Sequence, residues 1–220
     1  AKKSMVLTKF SSELSEDAAI NFADDLAGEM AYAQAKLEDQ CAFIGDSTST
    51  YGGITGLATA VGSAGVSTAT NTTAGTITLA EIQSAFALLP QYADNTNAKI
   101  FCNKSIWNAL FLRLAYVSGG NNAVDLLTGS GQLSFAGYPV VLTQAMNSST
   151  ATGKIMFHFG DMSSVYFGDR RQTSVDFSNS ALTSFETDML CYRSTTRWDL
   201  VCANVGDATN AGSMITLKTG

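Results

Sequence analysis

With 220 residues, 45% of them hydrophobic, the chain is long enough to bury one large core or two modest ones, which excludes disorder throughout. Thirteen Lys and Arg against nineteen Asp and Glu give a formal charge of -6, the wrong sign for a surface that grips phosphates. Four cysteines without a C-x-x-C pair and a single histidine argue against a disulfide framework and against zinc.

Residues 3–10 alternate as a strand does. Ser12 or Ser15, each followed by acidic residues (Glu13, Glu16, Asp17), suits a helix N-cap. Phe22, Leu26, Met30, Ala33, Leu37, Cys41 and Ile44 then recur at spacings of four and three, which predicts one helix over 15–44, stopped by Gly45. Such a helix is about 45 Å long at ~1.5 Å per residue. By itself this stripe fits a coiled-coil or bundle helix equally well. The acidic neighbours Asp24-Asp25 and Glu38-Asp39 point about 100° apart on a helix, so they read as a solvated face and not as a proton-sharing dyad.

Residues 46–76 are rich in Gly, Ser, Thr and Ala, the composition of extended loops. Within them, Tyr51-Gly52-Gly53-Ile54-Thr55-Gly56-Leu57 provides tight turns, and no phosphate-binding glycine pattern occurs. Thr78-Leu79-Ala80-Glu81 is a capping box, followed by a helix that buries Leu79, Ile82, Phe86 and Leu89 and ends near Pro90. Residues 98–102 form a strand, and Asn103 caps a helix over 104–114 with Trp107, Leu110 and Phe111 inward. Gly119-Gly120-Asn121-Asn122 is a turn or loop. Gly137-Tyr138-Pro139-Val140-Val141-Leu142 turns into a buried strand, and 155–159 is its successor.

From 185 to 193 the alternation places Met189 and Cys191 on one face and Glu186, Asp188 and Tyr192 on the other. In 197–202, Trp198, Leu200 and Cys202 face inward, with Arg197 and Asp199 outward. A single inner face of Met189, Cys191, Trp198, Leu200 and Cys202 is expected to pack under the long helix. The cysteines read as buried thiols of a protein made in a reducing cytoplasm. No secretory signal and no run of about 18 apolar residues is present.

Catalytic patterns such as G-x-S-x-G and H-E-x-x-H are missing, and His158 alternates with apolar neighbours, a structural position. The charges suit subunit contacts instead: Arg170 and Arg171 beside Asp169, and Arg193 and Arg197 near Glu186, Asp188 and Asp199. The competing reading is that alternating charge merely solubilises an exposed sheet.

The C-terminal order is Gly160-Asp161, an aromatic strand, Asp169-Arg170-Arg171, a strand opening on Phe185, Tyr192-Arg193, Arg197-Trp198-Asp199 and a short last strand. It resembles the end of tailed-phage major capsid proteins of the Hong Kong 97-like fold. The Ser12-Glu13-Leu14 start of the long helix, the Gly53-Ile54-Thr55-Gly56-Leu57 passage and the Gly137-Tyr138-Pro139-Val140-Val141 strand resemble the same family, so the likeness covers nearly the whole chain.

That resemblance implies an α+β fold, with a long spine helix on an antiparallel sheet forming a peripheral domain beside an α/β axial domain. Residues 1–75 and 168–220 would form the peripheral part and 76–167 the axial part. The N-terminal arm and extended loop, with its cross-linking Lys, would be missing from this sequence. The implied function is that of a structural, non-enzymatic subunit without cofactor, metal or membrane. It would self-assemble into pentamers and hexamers around a DNA genome without binding nucleic acid specifically. A scaffolding segment or protein and a portal would be further partners, with assembly in the bacterial cytoplasm and residence in the virion. An encapsulin shell protein is the nearest alternative, and a surface adhesin or fibre module the next.

Overall fold

In the computed structural model of the chain, residues 1–17, 22–117, 133–178 and 187–220 are described. β1 (Lys2–Ser11) alternates between exposed and half-buried positions, the period of a strand with one covered face. α1 (Ser12–Asp17) follows at once, so Ser12 is its first residue and not its cap; the Ser12 hydroxyl donates to the Asp188 carboxylate. α2 (Phe22–Ile44) carries most of the helix expected over 15–44, and residues 18–21 of that span lie outside the described residues. At 23 residues it spans about 35 Å, close to the ~34 Å of the ten-residue β1, against which it packs.

The buried stripe of α2 runs through Leu26, Met30, Gln34 and Cys41. Ala33, expected in that stripe, is exposed, and Gln34 stands in its place. The helical period carries Met30 to i+4, and only the polarity of Gln34 hid it from the pattern. A 3-10 turn (Ser49–Tyr51) and a short helix α3 (Leu57–Ala60) then fold the glycine-rich segment back onto α2.

β1 is an outer strand of a three-stranded antiparallel sheet, order β1-β8-β7, completed by β7 (Val165–Ser178) and β8 (Met189–Cys202). β8 begins at Met189, later than expected. Asp188 lies in a turn with φ +50°, while Phe185 and Glu186 lie outside the described residues. The β1–β8 ladder runs from Lys2–Trp198 to Ser11–Met189 without a slip, so strict alternation puts Cys191 and Trp198 on opposite faces. The single inner face expected from the sequence is therefore two. Trp198 and Leu200 pack with Cys41 and Ile54 beneath α2, Cys202 half-buried at the margin, and Met189 and Cys191 belong to the other side. β7 carries two register shifts against β8, between Asp169 and Arg171 and between Arg171 and Ser174.

A six-stranded mixed sheet forms the second body of structure, in the order β2-β9-β6-β3-β5-β4. Its strands are β2 (Val66–Thr68), β3 (Ala98–Cys102), β4 (Ser134–Phe135), β5 (Tyr138–Leu142), β6 (Ile155–Asp161) and β9 (Met214–Lys218). One face packs on α4 (Leu79–Phe86) and on a helical run of α5 (Lys104–Ile106), a π-helical segment (Trp107–Leu112) and α6 (Arg113–Val117). The predicted 104–114 helix is thus present, longer and interrupted by the wider π turn, in which Trp107 and Phe111 stack at 5.5 Å. Asn103 caps it, accepting from the Ser105 N–H at 3.0 Å.

The Thr78 capping box is complete, but Leu79 is 39% exposed because the buried face of α4 starts at Ile82. β5 is only half covered: Val140 is buried, whereas Val141 and Leu142 face out. The Gly119-Gly120-Asn121-Asn122 turn lies outside the described residues. On the opposite face of the sheet, Phe43 from the end of α2 meets Phe101, Met146 and Met214, tying the helix to both sheets. At Gly160, φ is +141° and a side chain would strike the Ser213 carbonyl at 2.1 Å, so the close approach of β6 and β9 there requires glycine.

Candidate assembly surface

The three-stranded sheet covers one face with α2. On its other face the ladders set Lys3, Met5, Leu7 and Lys9 of β1 beside Arg197, Thr195, Arg193 and Cys191 of β8. β7 adds Arg171, Ser174, Asp176 and Ser178 to the same rows. Met5 and Leu7 are more than half exposed, and Tyr166 and Val201 are exposed near the far end of this face.

The structure brings only part of the expected set together. Arg171, Arg193 and Arg197 share this face. Arg193 forms an ion pair with Asp176 at 2.7 Å, a carboxylate the sequence did not single out because it lies across the β7–β8 pairing. Arg193 is also the first cause of the lowered Asp176 carboxyl pKa; smaller contributions come from Arg171 and Lys3. Arg171 does not pair with Asp169. Its backbone N–H donates to the Asp169 carboxylate at 3.1 Å, and its guanidinium donates to Ser174 Oγ at 3.2 Å.

Arg170 falls between the first pair of shifted rungs, exposed and without a register partner in β8. Asp199 accepts from the Leu200 N–H at 3.0 Å and has no ion pair with Arg197 among the described residues. Asp188 sits in the turn before β8 and accepts from Ser12 at the start of α1, away from Arg197. Glu186 lies outside the described residues.

The row Lys3–Arg197–Arg171 is the unusual one. Three cations lie directly opposite one another across three strands, and none has an ion pair among the described residues. Like charges facing one another in this way destabilise a ladder.

Among the described residues the interior offers no matching convergence of reactive groups. His158 is buried, its Nδ1 2.8 Å from Thr216 Oγ1. Burial pushes its imidazole down to about 4, against a weaker opposing pull from the Phe43 backbone, and Nε2 has no hydrogen-bond partner among the described residues. Cys41, Cys102 and Cys191 are buried free thiols. Among the described residues no group of three or more His, Cys, Asp and Glu could hold a metal ion, and no helix is long and apolar enough to cross a membrane.

The sequence pattern of the phage capsid family matches residues 1–206. Among solved structures, the capsid of a native GTA particle superposes with a TM-score of 0.70 at 19% identity, covering 100% of this chain and 72% of its own. Mycobacterium phage Bobi gives 0.69 at 19% identity with the same coverage. The SrpI encapsulin of Synechococcus elongatus gives 0.64 at 12% identity, covering 98% of this chain and 72% of its own. No curated protein matches the sequence.

Proposed function

Since the chain belongs to the phage capsid family and has the Hong Kong 97-like fold, a structural subunit of the virion shell, we propose that it closes an icosahedral head through pentamers and hexamers around a DNA genome. The observation that carries the reading is the extent of the match. The family pattern covers 1–206, and a capsid fold covers the chain from end to end.

In this reading residues 1–75 and 168–220 form the peripheral domain and 76–167 the axial domain, with β2 and β9 crossing back into the axial sheet. Arg170, Arg171, Arg193, Arg197 and Asp199, together with Asp188 and Glu186, contribute to subunit contacts. Many repeated interfaces, each modest, close a shell by symmetry, which is why no single deep site is needed. The work is mechanical and involves no catalysis or cofactor. Assembly takes place in the host cytoplasm, assisted by a scaffolding segment or protein and a portal. The net charge of -6 favours a wall that does not adhere to the packaged genome.

Electron microscopy of the protein expressed from its complete reading frame tests the proposal. Closed shells holding DNA in infected or induced cells are expected. Shells that instead copurify with a cargo enzyme would assign the chain to the encapsulin side of the fold, and the absence of any shell would overturn both readings.

A further inference from the structure

The Lys3–Arg197–Arg171 row is costly to the isolated chain, and it sits on a sheet face that no described element covers. Of the 13 Lys and Arg in the chain, Lys3, Lys9, Arg171, Arg193 and Arg197 lie on this one face. Among the described Asp and Glu, only Asp176 and Asp199 do. A chain that is acidic overall has therefore gathered an excess of positive charge on one side of one sheet. Exposed Met5 and Leu7 lie between the cations, so the face is amphipathic, unlike a surface that holds only phosphates.

The complement is on the same molecule. With Leu26, Met30, Gln34 and Cys41 of α2 turned to the sheet and the core, Asp25, Gly28 and Tyr32 fall on the opposite side of the helix, with Glu29 on its flank. Asp25 and Glu29 are exposed, one turn apart, and have no ion pair among the described residues. Tyr32 is 63% exposed, and nothing approaches within 4 Å of a side chain built at Gly28. The basic sheet face and the acidic helix face thus lie on opposite sides of one two-layer unit. They cannot meet within a chain, but they can meet between chains, head to tail, the arrangement that generates rings when the rotation closes.

We propose that the open face of the three-stranded sheet, centred on Lys3, Arg171 and Arg197, docks onto the outward face of α2 in a second copy of this chain, with Asp25 and Glu29 as its counter-charges. This rests on the shell-forming reading and names the surfaces through which neighbours engage. Apolar contact from Met5 and Leu7 against the Gly28–Tyr32 side of the helix supplies area, and the charges set register and exclude wrong partners.

Charge reversal in the full-length protein tests it, with assembled particles counted by sedimentation. R171E/R197E and, separately, D25K/E29K should each cut the assembled fraction at least tenfold, and the four substitutions combined should restore it, because complementarity is restored with inverted sign. The R197E chain should unfold at no lower temperature than wild type, since it places a carboxylate between Lys3 and Arg171; this separates lost assembly from lost folding. Doubles that assemble normally, or a folded quadruple variant no better than the doubles, would overturn the pairing while leaving the capsid reading intact. Wild-type protein that forms no shell would overturn the capsid reading itself. Duplex DNA binding that is lost in R171E/R197E while shells still form would assign the face to nucleic acid and refute the proposal.

Discussion

Gly56 donates its backbone N–H to the Gly45 carbonyl at 3.0 Å, joining the end of α2 to the loop that returns beneath it. A side-chain carbon at Gly45 would lie 2.4 Å from the Cys41 carbonyl oxygen, and one at Gly56 only 2.2 Å from the same atom. The last turn of the helix and the returning loop are therefore in backbone contact. G56A should destabilise the fold by about 1–3 kcal/mol, as overpacking does. G28A, where a side chain meets open space, should be neutral or slightly stabilising. Chemical denaturation midpoints of the two variants check the contrast.

The buried His158 makes stability sensitive to acid. Its imidazole titrates near 4 in the fold because burial disfavours the cation, against an ordinary value of 6.5. Above pH 6.5 both folded and unfolded chains hold it neutral. As the pH falls toward 4 only the unfolded chain takes the proton, so stability is lost across that window, by about 3 kcal/mol in total. In H158Q, stability between pH 6.5 and 4 should fall less steeply by roughly that amount. A slope equal to that of wild type would show that His158 is not the group responsible.

Glu81 acts in the opposite chemical sense. Burial tends to raise its carboxyl, but hydrogen bonds from Thr78 and Asn71 prevail and hold it at about 2, below the ordinary 4.5. Besides closing the capping box, it accepts from the Thr70 N–H at 2.8 Å and from Asn71 Nδ2 at 2.9 Å, so one carboxylate pins the segment before α4 to the helix start. This contribution is complete above pH 4.5 and disappears as the pH falls through 2. E81Q should cost about 1–2 kcal/mol at pH 7, with the difference from wild type closing toward pH 2.

Cys102 lies in the central strand β3 with its thiol pushed up to about 12 by burial. Maleimide labelling of the native protein should leave it unmodified until global unfolding exposes it, whereas the half-buried Cys202 should react earlier. Mass mapping of labelled peptides across a denaturant series reads both.

Arg193 and Arg197 should behave differently in the dissociated chain despite their similar spacing in the sequence. Arg193 has Asp176, but both side chains are about half exposed, so R193A should cost under about 1 kcal/mol. Arg197 stands between two cations, so R197A should be neutral or stabilising. Thermal melts of the two variants under dissociating conditions decide the order.

Local chemistry was legible wherever a signal and its consequence lie within a few residues. The Thr78–Glu81 box, the Ala98–Cys102 strand and the Asn103 cap all stand where the sequence puts them. The overall likeness to a capsid fold was legible for a different reason, the order of many weak signals. What stayed hidden depends on pairing across the chain. The parity relation between Cys191 and Trp198 follows from an unbroken ladder with β1, nearly two hundred residues upstream. The left-handed turn at Asp188 ended the strand reading early, and Asp176 became visible as the Arg193 partner only once β7 and β8 were in register. Gln34 was overlooked because a polar side chain in a buried stripe looks like an interruption of it.

The two register shifts in β7 have a geometric consequence of their own. Each inserts one residue, and each alone would invert the sidedness of everything beyond it; together they cancel, so Val175 and Phe177 return to the side occupied by Phe167. Curvature of the strand is thereby uncoupled from its chemistry. Deleting both extra residues would straighten the outer half while every side chain kept its side, whereas deleting one would turn that half inside out. Insertions and deletions here are thus tolerable in twos and ruinous singly, and the arm can be re-aimed without rewriting its surface.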